Sequence, residues 1–169
     1  MNESFYYNSP IGILQIKNSG NAITELSFTD KPGIQETGES KMVAGQPFSP
    51  ILKKCIAQLD DYFSGKRFEF DLNLAQKGTA FQQQVWGELQ KIRYGRTTSY
   101  LSLSKNIGNE KAIRAVGTAN GRNNIAIIVP CHRVIGHTGN LVGYGGGLWR
   151  KKWLLEHEAK YANGVQTLF

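Results

Sequence analysis

In the stretch VPCHRVIG, residues 129–136, Cys131 stands beside His132 and directly after Pro130. A cysteine attacks as its thiolate, so it needs a base or a positive charge close by, and His132 and Arg133 supply one of each. Adjacent side chains of a regular strand point to opposite faces, so the pair acts together only where the backbone bends. Three readings compete: a packed core thiol, a metal ligand and a nucleophile. The other histidines, His137 and His157, do not combine with Cys131 in a CxxC or HExxH spacing, and sequence neighbours chelate one ion poorly. A lone cysteine next to an apolar run is by default a small buried hydrophobe.

The flanking segments must position the pair. IAIIV, residues 125–129, reads as a buried strand, and Pro130 ends any ladder because it has no N–H. Downstream, LVGYGGGLW (141–149) is Gly-rich but lacks the GK[ST] ending of a phosphate loop and the spacing of GxGxxG, so it reads as a loop over a substrate, with a plain mobile linker as the alternative. RKKWLLEHEAK follows as an amphipathic helix, with Trp153 and Leu154 facing one way and Glu158 near its end, a carboxylate able to orient His132.

Upstream, Thr79 with Gln82 forms a capping-box pattern that opens a helix buried through Phe81, Val85, Trp86 and Leu89. Ser99 caps YLSLSKNI, Gly108 stops it, and Asn109 with Glu110 begins KAIRAVGTANG, ended by Gly121, a helix-turn-helix pattern. In the second helix Ile113 and Val116 are expected in the core, while Lys111, Arg114, Thr118 and Arg122 share another face without an acidic member. Such a face suits phosphate contact, or is the solvated face of a helical hairpin. Ala115, Gly117 and Ala119 permit close approach, to a groove or to another helix.

The N-terminal part reads as β: IGILQIKN and AITELSF, with NSGN (18–21) between them, form a hairpin. Residues 29–49 read as a long surface loop. Ser49 and Pro50 start a helix expected from Pro50 to Ser64, with Gly65 as its stop and Cys55 on the buried stripe. RFEFDLNL (67–74) alternates as a strand, and QKG (76–78) is the expected domain boundary.

Charge changes at the same place. Residues 1–80 hold 8 Lys and Arg against 9 Asp and Glu, and residues 81–169 hold 12 against 4, a net +8. That asymmetry fits a polyanion such as nucleic acid, an anionic membrane surface or plain solubility. No basic stretch and apolar core open the chain, and no window approaches the roughly 18 apolar residues of a membrane span, so a soluble cytoplasmic protein is expected. Both cysteines, Cys55 and Cys131, are expected reduced.

VPCHRVI, followed by GYGGGL and KKWLLEHE, resembles the methylated-DNA protein-cysteine methyltransferases, also called O6-alkylguanine-DNA alkyltransferases. The resemblance extends over nearly the whole chain, through SPIGILQI, QLDDYFSGKRFEFDLNL, GTAFQQQVWGELQKIRYGRTTSY and IRAVGTANGRNN. It implies an α/β (α+β) protein: residues 1–78 a ribonuclease H-like supporting domain, residues 79–169 a winged helix-turn-helix domain that binds DNA and accepts the alkyl group. It implies that an O6-alkylguanine, and an O4-alkylthymine, is flipped out of duplex DNA and dealkylated once per protein molecule.

In that scheme Cys131 accepts the alkyl group, His132 acts through a water as its base, Glu158 orients His132, Tyr100 helps rotate the nucleotide, and Asn123 braces the cysteine loop. Arg114 enters the base stack, and Lys111, Ala115, Gly117, Thr118, Ala119, Arg122 and Arg133 approach DNA from the minor groove. Tyr144, Gly145, Gly146, Val134 and Trp86 form the substrate pocket. No cofactor, metal or S-adenosylmethionine is implied, and a monomer is expected. The zinc-binding Cys and His cluster of some relatives is absent, since residues 1–80 hold no His and one Cys.

Departures from the family pattern are Gly145, where some members carry serine, Ala126, where some carry proline, and Arg93, where relatives have proline. The first two suggest a roomier pocket. The alternative classes are a lesion binder that transfers nothing and a cysteine hydrolase that turns over.

Overall fold

The computed structural model describes residues 2–30 and 48–163. The chain divides into two compact units, Met1–Gln76 and Lys77–Phe169. Together they give a mixed α/β protein, a three-stranded antiparallel sheet in the first unit and mainly helices in the second.

In the first unit β1 (Asn2–Ser9), β2 (Gly12–Ser19) and β3 (Ala22–Phe28) lie in that order, β2 in the centre. Ser19 pairs with Ala22, leaving Gly20 and Asn21 as a two-residue turn inside the expected NSGN. Strand alternation puts Leu14, Ile16 and Asn18 of β2 on the buried face. α1 (Pro50–Phe63) packs on all three strands and buries Ile51, Leu52, Cys55, Leu59 and Tyr62. Ser49 accepts from the Leu52 amide at its N-terminus, and Pro50 occupies the first turn, where no N–H is needed. β1, which the hairpin pattern does not include, completes the sheet by pairing along its whole length with β2. Most of the expected loop 29–49 lies outside the described residues.

RFEFDLNL does not form a strand. Its alternation survives as half-buried Phe70, Leu72 and Leu74 between exposed neighbours, but among the described residues its sole ladder contact is a bridge of Leu74 with Ile23. The reason is a competing partner: buried Gln58 of α1 takes the amide of Asp71 (2.9 Å) and donates to its carbonyl (3.1 Å). A side chain there does the work of a neighbouring strand.

In the second unit Thr79 and Gln82 cap α2 (Ala80–Leu89) reciprocally, at 3.1 and 3.0 Å. Gly78 precedes it because a Cβ there would lie 2.5 Å from the Trp86 ring. Trp86 donates from Nε1 to the carbonyl of Ala119 (2.9 Å), tying α2 to α4 (Ile113–Gly121). α3 (Tyr100–Asn106) starts at Ser99, whose hydroxyl accepts from the Ser102 amide, and ends before Gly108, at φ 80°. The second helix begins later than expected, with one 3-10 turn over Glu110–Ala112 before Ile113, because no side chain caps it. Ile113 is 40% exposed rather than in the core, and Val116 alone of the expected pair is buried.

IAIIV is not a strand either, although Ile125, Ile127, Ile128 and Val129 are buried. Two consecutive γ-turns fold it. The Ile128 amide bonds the Ala126 carbonyl (2.7 Å) around Ile127 at φ 71°, and the Cys131 amide bonds the Val129 carbonyl (2.8 Å) around Pro130 at φ −83°, ψ 65°. An apolar run has the same composition whether a ladder or a turn buries it, so periodicity does not separate them.

Candidate active site

Those turns lead into a 3-10 turn, Cys131–Arg133, so the backbone bends at the Cys131–His132 pair rather than running on as a strand. Beyond it β5 (Val134–Ile135) pairs in parallel with β4 (Thr98–Ser99), placing the exit of the cysteine turn beside the start of α3 and Tyr100. α5 (Leu148–Asn163) packs against the cysteine turn and carries Lys151 and Glu158.

Cys131 is 6% exposed, and His132 and Glu158 are wholly buried. His132 Nε2 and Glu158 Oε2 are 2.6 Å apart, while the buried Nδ1 of His132 has no hydrogen-bond partner among the described residues. Because the carboxylate accepts, the proton of a neutral imidazole sits on Nε2, and Nδ1 is left as the acceptor. Burial pushes the His132 pKa down, with Arg133 and Lys151 adding to that and Glu158 opposing it. Burial also works to raise the Glu158 pKa, but His132 and Arg133 overcome it and hold the carboxyl well below the usual carboxylate range. The site therefore holds an anionic carboxylate and a neutral imidazole.

Asn123 braces the turn. Its Nδ2 donates to the carbonyls of Val129 (2.8 Å) and Ile125 (3.3 Å), and its Oδ1 accepts from the Ile125 amide (3.1 Å). Buried Asn120 donates to the carbonyl of Cys131 itself at 3.4 Å. Tyr100 donates to the Val142 carbonyl (3.1 Å), and burial and nearby Cys131 push its pKa up.

Four of the residues expected at the DNA face or in the pocket are buried. Arg133 is 6% exposed and pairs with Glu158 through Nε (2.7 Å) and one terminal nitrogen (3.1 Å), so its guanidinium is engaged inside the protein. Ala119 is 2% exposed beneath Trp86, unlike exposed Lys111, Arg114, Ala115, Thr118 and Arg122. Trp86 and Val134 are packed in the fold, at 2% and 0% exposure. A cleft of about 540 Å³ is lined instead by Tyr100, Leu101, Ile113, Gly117, Val142 and their neighbours. Tyr144, Gly145 and Gly146 continue the same loop beyond Gly143, without lining that cleft.

Lys151 went unnoticed in the sequence because an amphipathic pattern does not show which lysine is buried. It is 0% exposed, its Nζ donates to the carbonyls of Val142 (2.7 Å) and Gly143 (3.2 Å), and burial lowers its pKa to about 8, Cys131 opposing. It puts a positive charge within electrostatic reach of the thiol and fastens the cleft loop. Among the described residues no group of three or more His, Cys, Asp or Glu is placed to hold a metal, and no helix is long and apolar enough to cross a membrane.

Two family models match the chain: "6-O-methylguanine DNA methyltransferase, ribonuclease-like domain" over residues 4–76, and the DNA binding domain of the same family over residues 80–160. The methylated-DNA–protein-cysteine methyltransferase of Mycobacterium leprae is 46% identical over 162 residues, covering 96% of this chain and 95% of the relative. The crystal structure of Mycobacterium tuberculosis O6-methylguanine methyltransferase superposes with a TM-score of 0.81 at 43% identity, covering 95% of this chain and 94% of that one. A structure of the M. tuberculosis protein in complex with DNA matches with a TM-score of 0.80 at 44% identity, over 92% of both chains. This chain belongs to the 6-O-methylguanine DNA methyltransferase family, the methylated-DNA–protein-cysteine methyltransferases.

Proposed function

We propose that this protein repairs DNA by moving the alkyl group of an O6-alkylguanine, or an O4-alkylthymine, onto Cys131, one group per molecule. The observation that carries this reading is the oriented His132: its Nε2 is held by Glu158 and its Nδ1 is unengaged beside Cys131 in sequence. His132 Nδ1 takes the thiol proton through a water. The thiolate displaces the alkyl carbon in line, so the C–O6 bond breaks as the C–S bond forms. The departing guanine takes the electron pair and needs a proton, which in this scheme the Tyr100 hydroxyl donates. Lys151 adds positive charge where the thiolate forms.

A base within the stack is out of reach of such a site, so the nucleotide must rotate out of the duplex. Arg114, exposed on α4 next to cleft-lining Ile113, fills the gap from the minor groove, with Lys111, Thr118 and Arg122 on phosphates and Ala115 and Gly117 allowing close approach. Residues 79–169 carry DNA binding and chemistry, residues 1–78 support them, and the protein works as a cytoplasmic monomer without a cofactor. Stacking is worth about 1–3 kcal/mol, so Arg114→Ala should slow transfer from duplex DNA roughly 10- to 100-fold. Transfer from the free O6-alkylguanine base, measured in parallel, should not change.

A Cβ added at exposed Gly145 meets nothing within 4 Å, so a serine fits there without displacing a neighbour. Gly145→Ser is expected to favour O6-methyl over O6-butyl guanine in a competition assay, and an unchanged ratio refutes the roomier pocket. The function itself is tested by mixing equimolar protein with duplex DNA holding a labelled O6-methylguanine. Label on Cys131 supports transfer, binding without label supports a lesion binder, and repeated turnover supports a hydrolase.

A further inference from the structure

Arg133 is a buried cation whose placement the transfer chemistry leaves unexplained. Its Nε donates to Glu158 Oε1 (2.7 Å), one terminal nitrogen to Oε2 (3.1 Å), and the other to the Ile92 carbonyl (2.6 Å). Its guanidinium lies 5.8 Å from the centre of the Tyr94 ring, and the Gly95 amide gives Glu158 Oε1 a second donor at 3.3 Å. Residues 92–95, the cysteine turn and α5 thus meet at one carboxylate.

We infer that Arg133 is a positioning residue for alkyl transfer: by clamping both oxygens of Glu158 it sets the direction in which His132 points and fixes the tautomer that leaves Nδ1 free to accept. The inference rests on the reading of His132 as the base for Cys131. A carboxylate held only by one imidazole can turn about its last torsion and carry the ring with it. Two parallel bonds from a planar guanidinium remove that freedom, and the Ile92 carbonyl stops the guanidinium from turning in its place. A lysine offers equal charge but no fork.

The clamp has an electrostatic side. His132 faces Glu158 and Lys151 from α5 and Arg133 from its own turn, while Tyr94, Tyr144 and Cys131 are the other titratable groups facing this cluster. Arg133 opposes the pull of Glu158 on a proton at His132. Only neutral His132 can act as base, so transfer falls as pH drops through its pKa. Without the arginine charge that pKa rises, and the acid limb moves to higher pH.

The test uses the full chain with Arg133→Lys and Arg133→Met. It measures single-turnover transfer from labelled duplex between about pH 5 and 9, with ¹⁵N-histidine NMR of His132 in each protein. We expect Arg133→Lys to transfer about 10- to 100-fold more slowly, the usual loss for a group that orients a reacting side chain, with more than one His132 tautomer visible. Arg133→Met should also move the acid limb upward. A His132 spectrum identical to wild type in folded Arg133→Lys overturns the inference whatever the rate, and so does an unmoved acid limb in folded Arg133→Met. If Arg133→Met does not fold, Arg133→Lys decides alone. Failure of the transfer reading shows separately, as wild-type protein that leaves its label on DNA.

Discussion

Cys131→Ser, mixed with an equimolar duplex holding labelled O6-methylguanine, is expected to acquire no label while still retaining that duplex on a gel. Wild-type protein should take up one label per molecule and leave a second portion of damaged DNA unrepaired. The first expectation follows from leaving-group and nucleophile chemistry. A serine hydroxyl does not ionise near neutral pH, and the proposed role of His132 is to remove a thiol proton rather than to make an alkoxide. The exposed residues of α4 are untouched, so affinity for the duplex should change by less than about threefold, the stacking and phosphate terms being those of wild type.

The limit of one label follows from what surrounds the product. A thioether has no good leaving group, and Cys55, the other thiol, is wholly buried in the first unit, where burial pushes its pKa up to about 12. Mass spectrometry of the reacted protein checks both points. Label on any residue other than Cys131, or more than one label transferred per molecule, sinks this mechanism.

The second large effect is expected at Glu158. Glu158→Gln should slow transfer by about 10²-fold at neutral pH, the range for loss of an effective general base, because the amide neither holds the proton on Nε2 nor balances Arg133. It should also cost about 3–5 kcal/mol of stability, as breaking a buried ion pair does. The pH dependence separates this from simple misfolding. The folded carboxyl lies well below its unfolded value, so its contribution is fully present above about pH 4.3 and disappears as pH falls further toward the folded value. Thermal unfolding of the two proteins should therefore differ most near neutral pH and converge in acid. A gap that stays constant from pH 7 to 3 contradicts the assignment.

How much of this was legible in the sequence depends on whether a residue's partner is near in the chain. The caps at Ser49, Thr79 and Ser99 form bonds within three residues, and the structure has all three. The Cys131–His132 pair could be read because the chemistry needs both types side by side. β1 escaped notice because Asn, Ser and Glu dilute its aromatic residues, and its β character comes from pairing with β2. The partner of Arg133 is not legible in the sequence for a similar reason. A positive charge after a nucleophile looks the same whether it faces phosphate or a carboxylate 25 residues away. The alternation in RFEFDLNL was real, but Gln58 claimed the backbone that a strand would have used.

The turn at Ile127 puts the loop before Cys131 under tension. A branched side chain at φ 71° costs about 1–3 kcal/mol, and burying the same isoleucine, 1% exposed, returns about 1.5–3 kcal/mol. Opposed terms of similar size make the loop a spring whose latch is an apolar side chain, with the hydrogen bonds of Asn123 as its guide rails. Wetting of the Ile127 side chain, rather than rupture of those bonds, is then the event that would let the turn carrying Cys131 shift.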